Sequence, residues 1–135
     1  MMENELNFAK INILTDKIAE IIFKQDIEIS LEMIEEYNDY LTEKFPNNFA
    51  LLINKINKYS FAFEAKLTMA SHENLVAIAV ITYDNEGLES VNKLASLRAL
   101  DGWNLKTFDG LNLGRQSALL WLQGQFRALS LDDSL

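Results

Sequence analysis

The chain has 135 residues, of which 49% are hydrophobic, contains no cysteine and carries a formal net charge of −8. This length suits one domain with its own core, and the absence of cysteine excludes disulfides and agrees with a cytoplasmic location. Because so acidic a chain repels phosphate backbones, we expect no binding to nucleic acid. The longest apolar run, residues 75–81, is too short to cross a bilayer, so we expect no stable membrane insertion.

The first predicted element is an antiparallel hairpin built from two β-rich segments. Residues 8–14 alternate between apolar and polar side chains, and residues 18–23 form a second segment rich in isoleucine. The polar residues 15–17 lie between them as a turn. Alternation with a period of two and a short polar connection are typical of a hairpin.

A helix is predicted over residues 31–45, where Ser30 has a side chain that caps a helix N-terminus and Pro46 disfavours continuation. At 100° per residue, apolar side chains fall on one side and carboxylates on the other. The apolar side consists of Leu31, Ile34, Tyr37, Leu41 and Phe45, and the acidic side of Glu32, Glu35, Glu36, Asp39 and Glu43. The acids lack the spacing of a calcium loop, and we interpret them as a solvated face that could also meet a basic partner.

Three strand–helix units make up the remainder of the chain. The predicted strands are residues 49–53, 75–82 and 103–108, and the helices that follow them are residues 60–71, 88–100 and 113–126. The second of these strands is apolar throughout, as expected of a central strand covered on both faces. Ser60 is predicted to cap its helix, and the tail from residue 130 is predicted to fray.

The order ββαβαβαβα predicts one α/β domain over residues 1–135, with its core at about residues 7–126 and frayed ends. Right-handed crossovers make the later strands parallel, while the first strand pairs antiparallel at an edge. We therefore expect a mixed, mostly parallel sheet with an N-terminal antiparallel hairpin and four helices.

The C-terminal third contains residues that resemble a known family. A strand ends at Phe108-Asp109, the next helix contains Ala118-Leu119 and Trp121-Leu122, and the central strand contains Ala77-Ile78-Ala79-Val80. With the element order, these residues resemble the STAS domain of bacterial anti-sigma-factor antagonists, and more closely small stand-alone STAS-like bacterial proteins of unknown function. The resemblance implies a STAS-like fold and a non-enzymatic regulatory or protein-interaction module. STAS-like domains also resemble CRAL-TRIO lipid carriers in topology, so a small-ligand or lipid-binding module is the alternative.

Ser60 lies about where the antagonists carry a phosphorylated serine or threonine, in an Asp-Ser-Ser-Gly-like loop. Here the loop lacks the aspartate and the glycine, and Tyr59 and Phe61 flank the serine. A phosphate on Ser60 would lie at a helix N-terminus beside Lys55 and Lys58. We favour the simpler role of Ser60 as a helix cap.

Candidate ligand-binding residues follow three of the predicted parallel strands. Ligands of open α/β sheets bind at the carboxyl ends of the strands, where the loops diverge and helix N-termini point inward. If a small apolar ligand binds, we expect it at this edge. The residues are Lys55, Lys58, Tyr59 and Ser60 after one strand, Tyr83, Asp84 and Asn85 after the next, and Asp109 after the last.

Residues suited to catalysis or metal binding are sparse. His72 is the only histidine, cysteine is absent, and there is no glycine-rich phosphate loop. We therefore expect no catalytic residue, no metal and no cofactor, with His72 at the surface. Arg98 falls inside the apolar arc of the third helix. We interpret it as snorkelling near the helix C-terminus, with an anion contact as the alternative.

The second and fourth predicted helices have more apolar residues than one buried face needs. Phe63 and Leu67 on the second, and Leu120 and Trp121 on the fourth, are candidate interface residues. Surplus apolar helix surface favours a protein partner, which could be a second copy of the chain as a homodimer, a ligand groove, or deeper burial within one monomer. Lysines 10, 17 and 24 near the hairpin strands disfavour association through a sheet edge.

Overall fold

The computed structural model describes residues 5–69, 71–97 and 104–133. Its strands are β1 (Glu5–Leu6), β2 (Ala9–Ile13), β3 (Ile18–Phe23), β4 (Glu28–Ile29), β5 (Phe49–Asn54), β6 (Ser60–Phe61), β7 (Leu75–Thr82) and β8 (Leu105–Asp109). Its helices are α1 (Leu31–Lys44), α2 (Phe63–Thr68), α3 (Asn85–Leu97) and α4 (Gly114–Asp133).

The main sheet has the order β1-β2-β3-β5-β7-β8. β1, β2 and β3 pair antiparallel, and the pairs β3–β5, β5–β7 and β7–β8 are parallel. The predicted α/β class, the mostly parallel mixed sheet, the N-terminal hairpin and the four helices are therefore confirmed. The sheet places the carboxyl ends of β5, β7 and β8 side by side.

The two faces of the sheet are covered unequally. Buried residues of α1, α2 and α3, such as Tyr37, Ala65 and Val91, share one core with Phe23 of the sheet. On the other face, Ala118 and Leu122 of α4 belong to a second core. There the sheet contributes several alanines, whose small side chains leave room for one helix to pack closely. The second core also contains Ile18, Ala50, Leu52, Ala77, Ala79 and Ile81.

The α1 helix forms as its sequence predicts. The Ser30 hydroxyl accepts a hydrogen bond from the backbone N–H of Met33 at 3.3 Å, which satisfies one N-terminal donor. Ile34, Tyr37 and Leu41 are buried, while the five acidic side chains are exposed. Leu31, at the start of the apolar side, remains partly in solvent.

The prediction that Ser60 caps α2 is wrong. Ser60 lies in β6, which pairs in parallel with β4 to form a separate two-stranded sheet. This pairing keeps the backbone extended as far as Ala62, because the N–H of Ala62 donates to the carbonyl of Ile29. α2 therefore begins at Phe63, and its N-cap residue, Ala62, offers no side-chain hydrogen bond.

The last two helices also differ from their predicted limits. α3 begins at Asn85, earlier than residue 88, because the Asp84 carboxylate accepts a hydrogen bond from the N–H of Gly87. The predicted end of α3, residue 100, lies outside the described residues, and so does Arg98. α4 extends to Asp133, so the helix includes residues 130–133 of the tail that was predicted to fray. None of the described helices has the length and apolar character needed to cross a membrane.

Candidate functional site

The loop after β5 is fixed in place by the turn after β3. The Asn57 side chain donates to the carbonyl of Phe23 at 2.9 Å, and the N–H of Asp26 donates to the carbonyl of Lys58 at 2.7 Å. The Lys58 N–H in turn donates to the Gln25 side chain at 2.8 Å. These bonds hold the loop against the sheet and define where Lys55, Lys58 and Tyr59 lie.

An apolar cavity of about 50 Å³ lies between the sheet, β6, α2 and α3. Phe23, Ile53 and Val80 line it from the sheet, and Val91 and Leu94 line it from α3. Lys55, Tyr59 and Ser90 border both this cavity and an adjoining polar pocket of about 110 Å³. We call the cavity and this pocket together the Lys55 cleft.

Among the described residues that line the apolar cavity, Lys55 is the one with a charged side chain. Its ammonium lies 3.7 Å from the centre of the Tyr59 ring, a close cation–π contact. Burial lowers the pKa of Lys55 below its ordinary value, and this outweighs the opposing effect of the Asp84 and Glu86 carboxylates. The Tyr59 phenol is buried too, which raises its pKa and keeps it neutral.

Lys58 borders the polar pocket of the Lys55 cleft, whereas Ser60 lies outside the cleft. The Lys58 ammonium pairs with the Glu86 carboxylate across the polar pocket at 3.4 Å, and both side chains are largely exposed. Ser60 is exposed and borders a third pocket, of about 290 Å³, between β6, α2 and α3. Because α2 begins beyond Ala62, Ser60 lacks the helix N-terminus that the proposed phosphate would have used.

The other candidate ligand residues border a separate pocket of about 310 Å³ at the ends of β7 and β8. Tyr83, Asp84, Asn85 and Asp109 all line it, together with Leu111. The Asp109 carboxylate accepts hydrogen bonds from the N–H of Leu111 and the side chain of Asn112, so it organises its own loop. The residues predicted for this edge of the sheet therefore lie around several pockets, and Asp84 borders both this pocket and the polar pocket of the Lys55 cleft. Their role in ligand binding stays a prediction.

One buried glutamate was not identified as a candidate residue from the sequence. Glu20 lies in β3, is 4% exposed and accepts hydrogen bonds from Asn12, Asn54 and Arg115. Asn54 also accepts a hydrogen bond from the Tyr83 hydroxyl at 2.8 Å. Burial raises the pKa of Glu20, but hydrogen bonds from Arg115 and Asn54 and the charge of Arg115 bring it below its ordinary value. Its position within an apolar strand was the only available signal, and its partners are remote in the sequence.

The four candidate interface residues are not on one surface. Phe63 is 63% exposed and Leu67 46% exposed on α2, whereas Leu120 is 65% exposed on α4, across the sheet. Trp121 is partly buried and packs with its ring centre 6.0 Å from that of Phe108. The indole therefore packs between α4 and β8, and its role as an interface residue stays a prediction.

His72 is more constrained than the predicted surface histidine. Its Nδ1 accepts a hydrogen bond from the Asn74 N–H at 3.1 Å, and its Nε2 lies 3.0 Å from the Thr42 hydroxyl. The tautomer with its proton on Nε2 fits both contacts, since the Thr42 hydroxyl donates to the carbonyl of Asn38. The ring also packs edge-on against Phe49, so His72 connects the end of α1 to the loop after α2.

In comparisons with known proteins, no family model, no curated protein and no solved structure matches this chain. The resemblance to STAS domains therefore stays a prediction. Among the described residues, no group of three or more histidine, aspartate or glutamate side chains is placed to hold a metal ion.

Proposed function

We propose that this chain is a non-enzymatic interaction module that binds a basic protein partner on the surface formed by α1 and α2. The exposure of Phe63 and Leu67 is the observation that supports the proposal. The two residues are four apart on one helix, so they lie on the same face and form a small apolar patch. Apolar anchors surrounded by charged residues are typical of protein-binding surfaces.

The charge around this patch favours a basic partner. Glu64 is exposed beside the two apolar side chains on α2. α1 packs beside α2 and presents five acidic side chains to solvent. A partner with lysine or arginine around an apolar anchor would complement both features, whereas a second copy would bring like charges together. The predicted role as a STAS-type regulatory module agrees with this proposal.

A defined peptide tests the proposal. A fluorescent amphipathic helical peptide of leucine and lysine should bind the wild-type chain, and its affinity is measured by fluorescence anisotropy. Phe63→Ser and Leu67→Ser should each weaken binding by about tenfold, because each removes roughly 1.4 kcal/mol or more of apolar burial. A peptide with glutamate in place of lysine should not bind.

The matched control is Leu120→Ser, which removes a leucine that is 65% exposed, more than Leu67, from the opposite side of the sheet. It should leave peptide affinity unchanged. Equal affinities for the Leu67→Ser and Leu120→Ser variants would mean that binding is only a response to net charge. That result would contradict the proposed surface, as would the absence of binding to the wild-type chain.

The cavity of the Lys55 cleft favours a second candidate function, the binding of a small apolar ligand. It lies behind β6 and α2, in a place separate from the exposed side chains of Phe63 and Leu67. The two functions can therefore be tested independently.

A further inference from the structure

We propose that the Lys55 cleft binds a small organic anion, with a short branched aliphatic body in the cavity and a carboxylate or similar anionic group at the Lys55 ammonium. This inference deepens the second candidate function and does not depend on the docking surface of α1 and α2.

The shape and lining of the cavity define the apolar part of the ligand. Its walls are side chains such as Phe23, Ile53 and Val91, which offer dispersion contacts and no hydrogen bonds. Its volume of about 50 Å³ is well below the ~150 Å³ of an apolar cavity that holds benzene. A branched aliphatic group therefore fits better than an aromatic ring.

The position of Lys55 defines the polar part. Lys55 borders the apolar cavity on one side and the polar pocket on the other, with its ammonium over the Tyr59 ring. A ligand whose apolar body fills the cavity would bring its anionic group to this ammonium. Small-molecule sites commonly combine an apolar lining with a few polar groups that fix orientation in this way.

The carboxylates near Lys55 have other partners. Glu86 pairs with Lys58 at 3.4 Å, and Asp84 accepts the Gly87 N–H at 2.7 Å as it caps α3. They do not offset the cost of burying the ammonium, because the pKa of Lys55 remains below its ordinary value. An additional anion at Lys55 would therefore stabilise a charge that the protein alone leaves poorly compensated.

The experiment uses 3-methylbutanoate as the probe, with 3-methylbutanamide as its neutral counterpart. Amide chemical shifts of the wild-type chain are followed during titration at pH 7. Fragments of this size bind in about the millimolar range, and 3-methylbutanoate should shift amide signals at Lys55, Tyr59, Ser90 and Leu94. The neutral probe, 3-methylbutanamide, should bind about tenfold more weakly than 3-methylbutanoate, because it cannot form the charge-assisted hydrogen bond to the Lys55 ammonium.

Variants separate the ammonium from the apolar stem. Lys55→Met keeps an unbranched apolar side chain, so it should weaken binding of 3-methylbutanoate about tenfold and leave binding of the amide unchanged. Lys55→Arg should retain preference for the anion. Lys106→Met is the matched control, because Lys106 also lies over an aromatic ring, that of Phe108 at 5.5 Å, but outside the cleft.

Three results would overturn the proposal. They are the absence of shifts at the cleft, equal affinities for the acid and the amide, and equal losses of acid binding in Lys55→Met and Lys106→Met. Leu94→Trp provides a second measurement, since an indole from α3 should fill the cavity and remove binding of both probes. The Phe63→Ser and Leu67→Ser variants should bind 3-methylbutanoate normally, so failure of one proposal is distinguishable from failure of the other.

Discussion

Gly110, in the turn before α4, and Gly124, within α4, differ in the space around them. A Cβ at Gly110 would overlap the Tyr83 ring, whereas a Cβ at Gly124 would meet nothing within 4 Å. The Tyr83 ring cannot easily move away, because its hydroxyl donates to Asn54 at 2.8 Å. Glycine at position 110 therefore lets the turn after β8 pack against the end of β7.

We predict that Gly110→Ala lowers the free energy of unfolding by about 1–3 kcal/mol, the usual cost of overpacking. The same substitution at Gly124, inside a helix and without a nearby side chain, should leave stability unchanged or raise it by up to about 1 kcal/mol. Urea unfolding of both variants, followed by circular dichroism, measures the difference. Equal effects of the two substitutions would show that the Tyr83 contact does not restrict position 110.

At the scale of elements, Glu20 and Arg115 connect α4 to the sheet. Arg115 lies in the first turn of α4 and donates two hydrogen bonds, both of 3.2 Å, to the carboxylate of Glu20 in β3. Ala118 and Leu122 of α4 pack on a surface of the sheet that is rich in alanine. The ion pair adds a directional contact that fixes the position of the N-terminal turn.

We predict that Glu20→Gln lowers the free energy of unfolding by about 1–3 kcal/mol at pH 7, since it removes charge-assisted hydrogen bonds to Arg115. The pKa of Glu20 is lowered in the folded state. Its contribution is therefore fully present above the ordinary value of 4.5 and is lost as pH falls through the folded value.

The difference in the free energy of unfolding between wild type and Glu20→Gln should accordingly shrink as the pH is lowered below about 4.5, the ordinary pKa of a glutamate. Urea unfolding at several pH values from neutral to acidic measures this difference. Glu35→Gln, on the exposed side of α1, is the control and should change stability little at any pH. A Glu20→Gln difference that stays constant across the series would exclude a role for the carboxylate charge.

The elements that could be predicted are those with long local patterns. α1 has a cap, a stop and a clear helical period, and β7 is apolar at every residue before Thr82, so both were predicted well. β4 and β6 are two residues each, too short to show a period, and their pairing kept Ser60 out of α2. The contact of Glu20 with Arg115 joins residues 95 apart, which no local pattern reveals.

The same distinction applies to the candidate site. The edge of the sheet could be predicted because the carboxyl ends of parallel strands always lie together. The Lys55 cleft could not, because its apolar walls come from β3, β5, β6, β7, β8, α3 and the end of α2. Trp121 was assigned to the surface from helical periodicity alone, which does not show that Phe108 lies beside it.

At the scale of the whole molecule, the exposed apolar residues lie on both sides of the sheet and the net charge is −8. A stable dimer buries upwards of about 1,000 Å², more than a pair of side chains on one helix supplies. The sheet edges are unsuited to association as well. β1 has two residues, and β8 carries an exposed lysine, Lys106.

We therefore predict that the wild-type chain is monomeric at micromolar concentration, and that Leu67→Glu and Leu120→Glu are also monomeric. Light scattering at several concentrations measures the mass, and circular dichroism checks that each variant is folded. A wild-type dimer abolished by Leu67→Glu alone would mean that the α2 face binds a second copy, contrary to the proposed basic partner. A dimer abolished by Leu120→Glu alone would place the contact on α4. A dimer that survives both substitutions would contradict the prediction of a monomer and would show that association depends on neither of these leucines.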